Sequence, residues 1–241
     1  MKITVKDIEK KTMTAEKKAS AKNDYFGFYI GRPITYAMSI PFIKHNVAPN
    51  TISLYSLIAA LIGFLFTSFG NFGLKLVGVT FFLLWSFLDG VDGNVARYTG
   101  KTSKLGALWD DVAGYTALAL MLFTMGIACM GQYSLVITNA IFPDYMYIVM
   151  SGLSSIFSVL ARLAMHKKSL IYKEDAGKEF NDKASFSPIK VLLLNLASPS
   201  GFMLIFMYIS LFARCVNIYV IFYFVFESTI FVYTYYKLLR K

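Results

Sequence analysis

The chain has 241 residues and a formal net charge of +10, with 56% hydrophobic and only 16% charged residues. Soluble domains carry about 25% charged residues, and a mean hydropathy of +0.55 leaves too little polar surface to face water. These figures exclude a secreted disulfide scaffold, a coiled coil and a disordered tail, and they indicate an all-α integral membrane protein. Aromatic residues at 17% agree, because Tyr and Trp gather where an apolar slab meets water.

Residues 1–22 repeat Lys at short intervals among Ile, Val and Ala, and no 7–15-residue apolar stretch of a signal peptide appears there. This segment reads either as part of an interfacial helix or as a solvated tail. Residues 25–44 are too polar and too interrupted by Pro33 and Pro41 to cross a membrane, and they read as a helix lying on the cytoplasmic face. A crossing helix needs about 20 mostly apolar residues. Six stretches qualify, at roughly 50–69, 74–96, 105–130, 145–166, 189–213 and 216–237. The partly apolar stretch 132–144 is short and ends in Pro143-Asp144, so it reads as a loop or a helix extension. The mixed-charge tract 173–188 reads as a flexible cytoplasmic loop. The expected organisation is therefore a cytoplasmic N-terminal tail with its interfacial helix (1–49), then a six-helix transmembrane domain (50–241).

Lys and Arg orient the spans. Residues 1–49 carry nine, 97–104 three, 167–190 six and 237–241 three, whereas the alternate loops hold only Lys75 and Arg214. With six spans every basic segment falls on one side, which puts both termini in the cytoplasm. The positive charge is thus topological, with attraction to anionic membrane lipids, and no nucleic-acid partner is needed to explain it. Cys129 and Cys215 lie in or beside apolar runs without metal-ligand spacing and read as small core hydrophobes.

Ionisable groups inside spans are expensive and usually functional. Here they are Asp89, Asp92, Arg97, Asp110, Asp111, Arg162 and Glu227. Asp89 and Asp92 are spaced i,i+3 and share a helix face. Asp110 follows on the next helix at similar depth, so two helices bring three carboxylates together. Such a cluster repels itself unless protonated or bound to a cation, and oxygen ligands suit Mg²⁺ or Mn²⁺. The alternative is a carboxylate–arginine network around Arg97. Gly90, Gly93, Gly100 and Gly106 punctuate the same stretch, and the loop at 98–104 adds hydroxyls, Lys101 and Lys104. Carboxylates, a hard cation and basic groups together suit a diphosphate.

The run Asp89-Gly-Val-Asp92-Gly93-Asn-Val-Ala96-Arg97, then eight residues, Gly106, three residues and Asp110, resembles the signature of the CDP-alcohol phosphotransferases, D-x2-D-G-x2-A-R-x8-G-x3-D-x3-D. Arg32-Pro33 and Ala48-Pro49-Asn50-Thr51 resemble the lead-in of the same family. The resemblance implies a metal-dependent membrane transferase that moves a phospho-alcohol from a CDP-alcohol donor to a lipid or phosphorylated polyol acceptor, releases CMP and works as a possible homodimer. It implies that Asp89, Asp92 and Asp110 hold the divalent ions. It further implies that Asp89, Gly93, Ala96, Arg97 and Gly106 surround the nucleotide, with Arg97 helping to orient it.

The last aspartate of the signature, the expected base for the acceptor hydroxyl, falls at Gly114. Asp111 is a substitute base only through local distortion or a water, because it is turned about 100° from position 114. Otherwise the acceptor needs no strong base, or the chain is a catalytically impaired relative acting as a nucleotide- or lipid-binding membrane subunit. Arg162, with Lys101 and Lys104, is a candidate contact for an acceptor phosphate; for Arg162 the competing reading is a cluster with His166 and Lys167 that anchors the helix at the interface. Glu227, the one charge in the sixth span, either lines the cavity or pairs within the bundle.

Overall fold

The computed structural model describes residues 3–130, 142–172, 186–199 and 201–240, and among these the regular structure is helical throughout. Helix α1 (Val5–Thr12) opens on a capping box: Thr4 Oγ1 accepts from the Asp7 amide, and the Asp7 carboxylate accepts from the Thr4 amide at 3.0 Å. Such reciprocal bonds satisfy amides that the first helical turn leaves open. Helix α2 (Ala15–Ala21) follows, then a π-helical turn (Gly27–Gly31) that runs into α3 (Arg32–Lys44). Thirteen residues reach about 20 Å at 1.5 Å per residue, short of the roughly 30 Å hydrocarbon core. α3 by itself is therefore too short to cross.

Among the described residues, five helices are long and apolar enough to span: α4 (Pro49–Phe69), α5 (Phe72–Thr99), α6 (Lys104–Ala128), α7 (Asp144–Tyr172) and α10 (Val216–Leu239). They coincide with five of the expected stretches. The sixth, expected as one span over 189–213, is instead a broken pair, α8 (Pro188–Ala197) and α9 (Phe202–Phe212), which qualifies only when taken together. The cause lies in Ser198-Pro199. Ser198 is extended, with ψ 115°, as expected before a proline that crowds its predecessor out of the helical region and lacks an amide of its own. The readings for 132–144 and 173–188 fall largely on 131–141 and 173–185, outside the described residues.

The chain divides into two compact units, and α4, α5 and α6 contribute to both. The first comprises the described residues of Met1–Ala59, Leu83–Gly114 and Glu179–Leu204. Ile8, Tyr36, Ile52, Val91 and Val95 are buried in it. Polar bonds fasten its N-terminal segment. Lys11 Nζ donates to the Tyr98 carbonyl at 3.1 Å and sits over that ring, placing a cation on the open carbonyls at the end of α5. Buried Asn195 of α8 is fully used: Oδ1 accepts from the Tyr25 amide at 2.9 Å, and Nδ2 donates to the Asn23 and Val191 carbonyls at 2.7 and 2.8 Å.

The second unit comprises the described residues of Ala60–Phe82, Tyr115–Lys178 and Ile205–Lys241. Its buried side chains include Met121, Met125, Tyr147, Met207 and Tyr223. Helices α7 and α10 pack together, with Phe157 stacked on Phe231 at 4.7 Å between ring centres. Cross-helix bonds join Ser68 to Thr124 at 2.8 Å and Ser155 to the Ala119 carbonyl at 2.9 Å, polar contacts of the kind that hold helices together where lipid supplies no hydrophobic drive. Buried Lys75 donates to the Thr67 and Ser68 carbonyls at the end of α4, at 2.9 and 3.3 Å. Both cysteines are free of disulfides.

Asn195→Leu strips the Tyr25 amide and the Asn23 carbonyl of their bonds, and a lost buried pairing costs about 1–3 kcal/mol. The expected result is a thermal unfolding midpoint several degrees lower in detergent, with the protein still folded at room temperature.

Candidate active site

The signature residues reach their places because two helix ends meet in the first unit. α5 ends at Thr99, and Gly100 at φ +72° takes the left-handed position that stops a helix. α6 begins beyond a short loop, with Ser103 Oγ accepting from the Gly106 amide at 2.9 Å in an N-cap arrangement. The loop is held from below: Lys101 Nζ donates at 2.9 Å to the side chain of Asn46, itself in the left-handed region at φ 53° after α3.

A cavity opens where these ends meet. Asp92, Gly93, Ala96 and Arg97 of α5 line it on one side, and Lys101, Gly106 and Asp110 on the other, with Asn50 and Ser53 of α4 closing it. Asp92 is buried and accepts a 2.5 Å hydrogen bond on Oδ2 from Ser53 Oγ. The Arg97 guanidinium lies within electrostatic reach of Asp92 and Asp110, and its Nη2 donates to Asn94 Oδ1 at 3.2 Å. Asp89 is within electrostatic reach of both Asp92 and Asp110, yet it lines a second cavity, formed by α5 with the segment around Asp24, Arg32 and Thr35.

Two glycines of the signature prove to be sites of close approach. A Cβ on Gly93 would stand 3.0 Å from both terminal nitrogens of Arg97, so the missing side chain lets that guanidinium fold back over its own helix. A Cβ on Gly106 would stand 3.1 Å from Ser103 Oγ and 3.2 Å from Asn50 Oδ1. At Gly114 a Cβ would meet nothing within 4 Å.

The sequence pattern of CDP-alcohol phosphatidyltransferases matches residues 46–232, well over half of the chain. The chain belongs to the CDP-alcohol phosphatidyltransferase family. Its members are membrane transferases of substituted phosphate groups that serve phospholipid biosynthesis, and the family implies a CDP-alcohol donor and an alcohol acceptor. Comparison with curated proteins finds no match.

The family is typically dependent on a divalent metal. Asp89, Asp92 and Asp110 form an all-oxygen donor set within mutual electrostatic reach, and their chemistry fits a hard ion such as Mg²⁺ or Mn²⁺. Among the described residues, however, no group of three His, Cys, Asp or Glu side chains is drawn together at metal-binding distances. One oxygen of Asp92 is engaged by Ser53 instead.

Of the other expected site residues in this family member, Lys101 lines the motif cavity, whereas Lys104 is exposed and lines neither cavity. Asp111 also lines neither cavity, although it lies within electrostatic reach of Asp110. Arg162 belongs to the second unit, half-buried and in the electrostatic company of Glu227 and Tyr115. Glu227 is 1% exposed and lies within electrostatic reach of Arg162. His166, read as part of an interfacial anchor, is half-buried and meets the Tyr115 hydroxyl at 3.3 Å through Nδ1. Sequence reasoning missed Ser53 and Asn94. Both carried a signal, since Ser53 follows Asn50 by one helical turn and Asn94 precedes Arg97 by the same spacing.

The two glycines make opposite predictions. A Gly in a helix interior costs about 0.5–1 kcal/mol relative to Ala, so Gly114→Ala, entering open space, should raise the thermal midpoint. Gly93→Ala must displace Arg97 and should show no such gain. Unfolding of the two variants in one detergent, followed by circular dichroism, makes the comparison.

Proposed function

We propose that the chain transfers a phospho-alcohol from a CDP-alcohol to an acceptor hydroxyl, with a divalent Mg²⁺ or Mn²⁺ held by Asp89, Asp92 and Asp110. The observation that supports this reading best is the cavity itself. Asp92, Gly93, Ala96, Arg97, Gly106 and Asp110, named by the family signature, line one opening together with Lys101 and the amino end of α6. A helix amino end and a basic side chain suit phosphate oxygens, and the small side chains at 93, 96 and 106 leave room for a nucleotide.

In this reading the acceptor oxygen bonds to the β-phosphorus of the donor, the bond from that phosphorus to the bridging oxygen breaks, and CMP leaves with the electron pair. The bound metal supplies charge neutralisation on the diphosphate and on the leaving CMP. Arg97 orients the phosphates, and Asn94 fixes Arg97. Ser53 holds the Asp92 carboxylate in one rotamer. No carboxylate stands at 114 to take the acceptor proton, and Asp111 lines neither cavity. The proton therefore passes to solvent, and the transfer runs without a dedicated base. The Lys and Arg content of 1–49, 97–104, 167–190 and 237–241 supports an orientation with both termini and the cavity facing the cytoplasm.

The test is CMP release by the purified protein from a panel of CDP-alcohols with Mg²⁺ or Mn²⁺ and with lipid or phosphorylated acceptors. Release should require the metal, and Asp92→Asn should lower it by about a hundredfold or more, as loss of a charge-stabilising group in an active site does. A missing general base is worth about 10²–10⁴-fold, so Gly114→Asp should change the rate by less than about tenfold. No release from any donor would favour a binding subunit over a transferase.

A further inference from the structure

The N-terminal segment meets the long helices of the first unit at two points. Lys11 is held at the Thr99 end of α5, over the Tyr98 ring and on the Tyr98 carbonyl. Asn23 and Tyr25 are held by Asn195, which lies about 10 Å along α8 from Pro188 at 1.5 Å per residue. Both of those helix ends border basic runs, with three Lys or Arg in 97–104 and six in 167–190. Basic runs of this kind mark helix ends at a membrane surface, and interfacial segments sit about 5–10 Å into that surface. The stretch from Lys11 to Tyr25 thus passes between two helices at the depth of the lipid headgroups, whichever leaflet it faces.

Its side chains are sorted accordingly. On α1, Ile8 and Thr12 are buried, while Lys6 and Lys10 lie about 200° round the helix from them and are exposed. Lys17 of α2 and Lys22 at its end are exposed as well. Residues 1–24 hold seven Lys against four acidic residues, and three of those acids are engaged by the protein. Asp7 caps α1 in the field of Lys10, Glu9 pairs with Lys18 at 2.9 Å, and Asp24 accepts from the Gly27 amide at 3.2 Å. Among the described residues, the Nζ groups of Lys6, Lys17 and Lys22 make no ion pair or hydrogen bond. Just beyond the lysines, Tyr25, Tyr29 and Ile30 are exposed. Rings and alkyl groups of this kind enter the headgroup layer while ammonium groups stay at the level of the phosphates.

We propose that this segment is a strap that binds the headgroups of anionic phospholipids through Lys6, Lys10, Lys17 and Lys22. A zwitterionic headgroup carries its own cation, which cancels most of the attraction. A headgroup of net negative charge leaves about 1 kcal/mol for each lysine near the surface. Lysine also suits this partner: its ammonium is a point charge on a flexible stem, matched to mobile phosphodiesters rather than to one fixed, forked ligand. Lipid bound along the strap holds α1 on the end of α5, next to the loop that carries Lys101. None of the four lysines lines either cavity, so the surface is separate from the site of the proposed transfer.

The test uses the full chain in neutral detergent, titrated with phosphatidylglycerol or phosphatidylcholine bearing the same fluorescent tail and followed by anisotropy. Phosphatidylglycerol should bind about tenfold or more tightly than phosphatidylcholine. That preference should fade at about 1 M NaCl, where charges are screened beyond about 3 Å. Lys17→Gln combined with Lys22→Gln should weaken phosphatidylglycerol by about tenfold, the scale of two lost surface charges, with phosphatidylcholine within about twofold of the parent. Lys167→Gln combined with Lys168→Gln removes the same net charge from α7 and should leave both affinities within about twofold. An unchanged thermal midpoint shows that each variant is folded, and the salt dependence of the parent tests the strap without any substitution. Equal affinity for the two lipids, a preference that survives 1 M NaCl, or equal weakening by the two pairs of substitutions would overturn the strap. Lipid binding is independent of turnover: the strap stands if no CMP is released, and only the transferase reading then falls.

Discussion

An ionic side chain inside an apolar slab costs several kcal/mol unless something compensates it, and the architecture of this chain follows from how each such charge is met. Lys75 is compensated by backbone: it donates to two carbonyls at the end of α4, where a helix leaves its last acceptors open. Arg162 and Glu227 are compensated by one another's field between the packed helices α7 and α10. The signature carboxylates are treated differently. Asp89, Asp92 and Asp110 lie within electrostatic reach of one another, with Ser53 bonded to Asp92 and the Arg97 guanidinium nearby. Arg32 is a second cation near them, sharing a cavity with Asp89. Such a gathering of carboxylates suits a family that typically depends on a divalent metal.

Much of this was legible in the sequence because the signals were local. Apolar length gives α4, α5, α6, α7 and α10 directly, since lipid leaves a crossing chain no other way to satisfy its backbone. The signature gives the motif cavity, because its spacings of three and four place side chains along adjoining helical faces. The break between α8 and α9 was also written in the chain: Pro199 and Gly201 interrupt a run whose overall hydropathy still reads as one span. A window that averages over twenty residues conceals a four-residue stop.

What the sequence did not carry was long-range. The spacing of Asp89 and Asp92 says that they share a helix face, yet the two line different cavities. The wall between them is set by where α3 lands, which depends on Gly90 meeting Thr35, residues 55 positions apart. The N-terminal segment was open to reading as a solvated tail, because lysines every few residues describe exposed surface equally well. Its docking rests on Lys11 reaching Tyr98 and on Asn195 reaching Asn23 and Tyr25, pairings that no periodicity announces.

The glycines share a residue type and answer to different causes. Gly93 is required by space: the guanidinium of Arg97 occupies the place a side chain would take. Gly100 is required by conformation, at a positive φ that ends α5. Gly114 is required by neither, for its surroundings are open and it lies inside a regular helix. Glycine there even works against the helix, at about 1 kcal/mol relative to alanine. A Cβ at 114 would enter open space, so close approach of a neighbour does not account for the glycine. In the proposed transfer, proton removal falls to solvent, and the identity of the acceptor, rather than a residue of the helix, sets how readily that proton leaves.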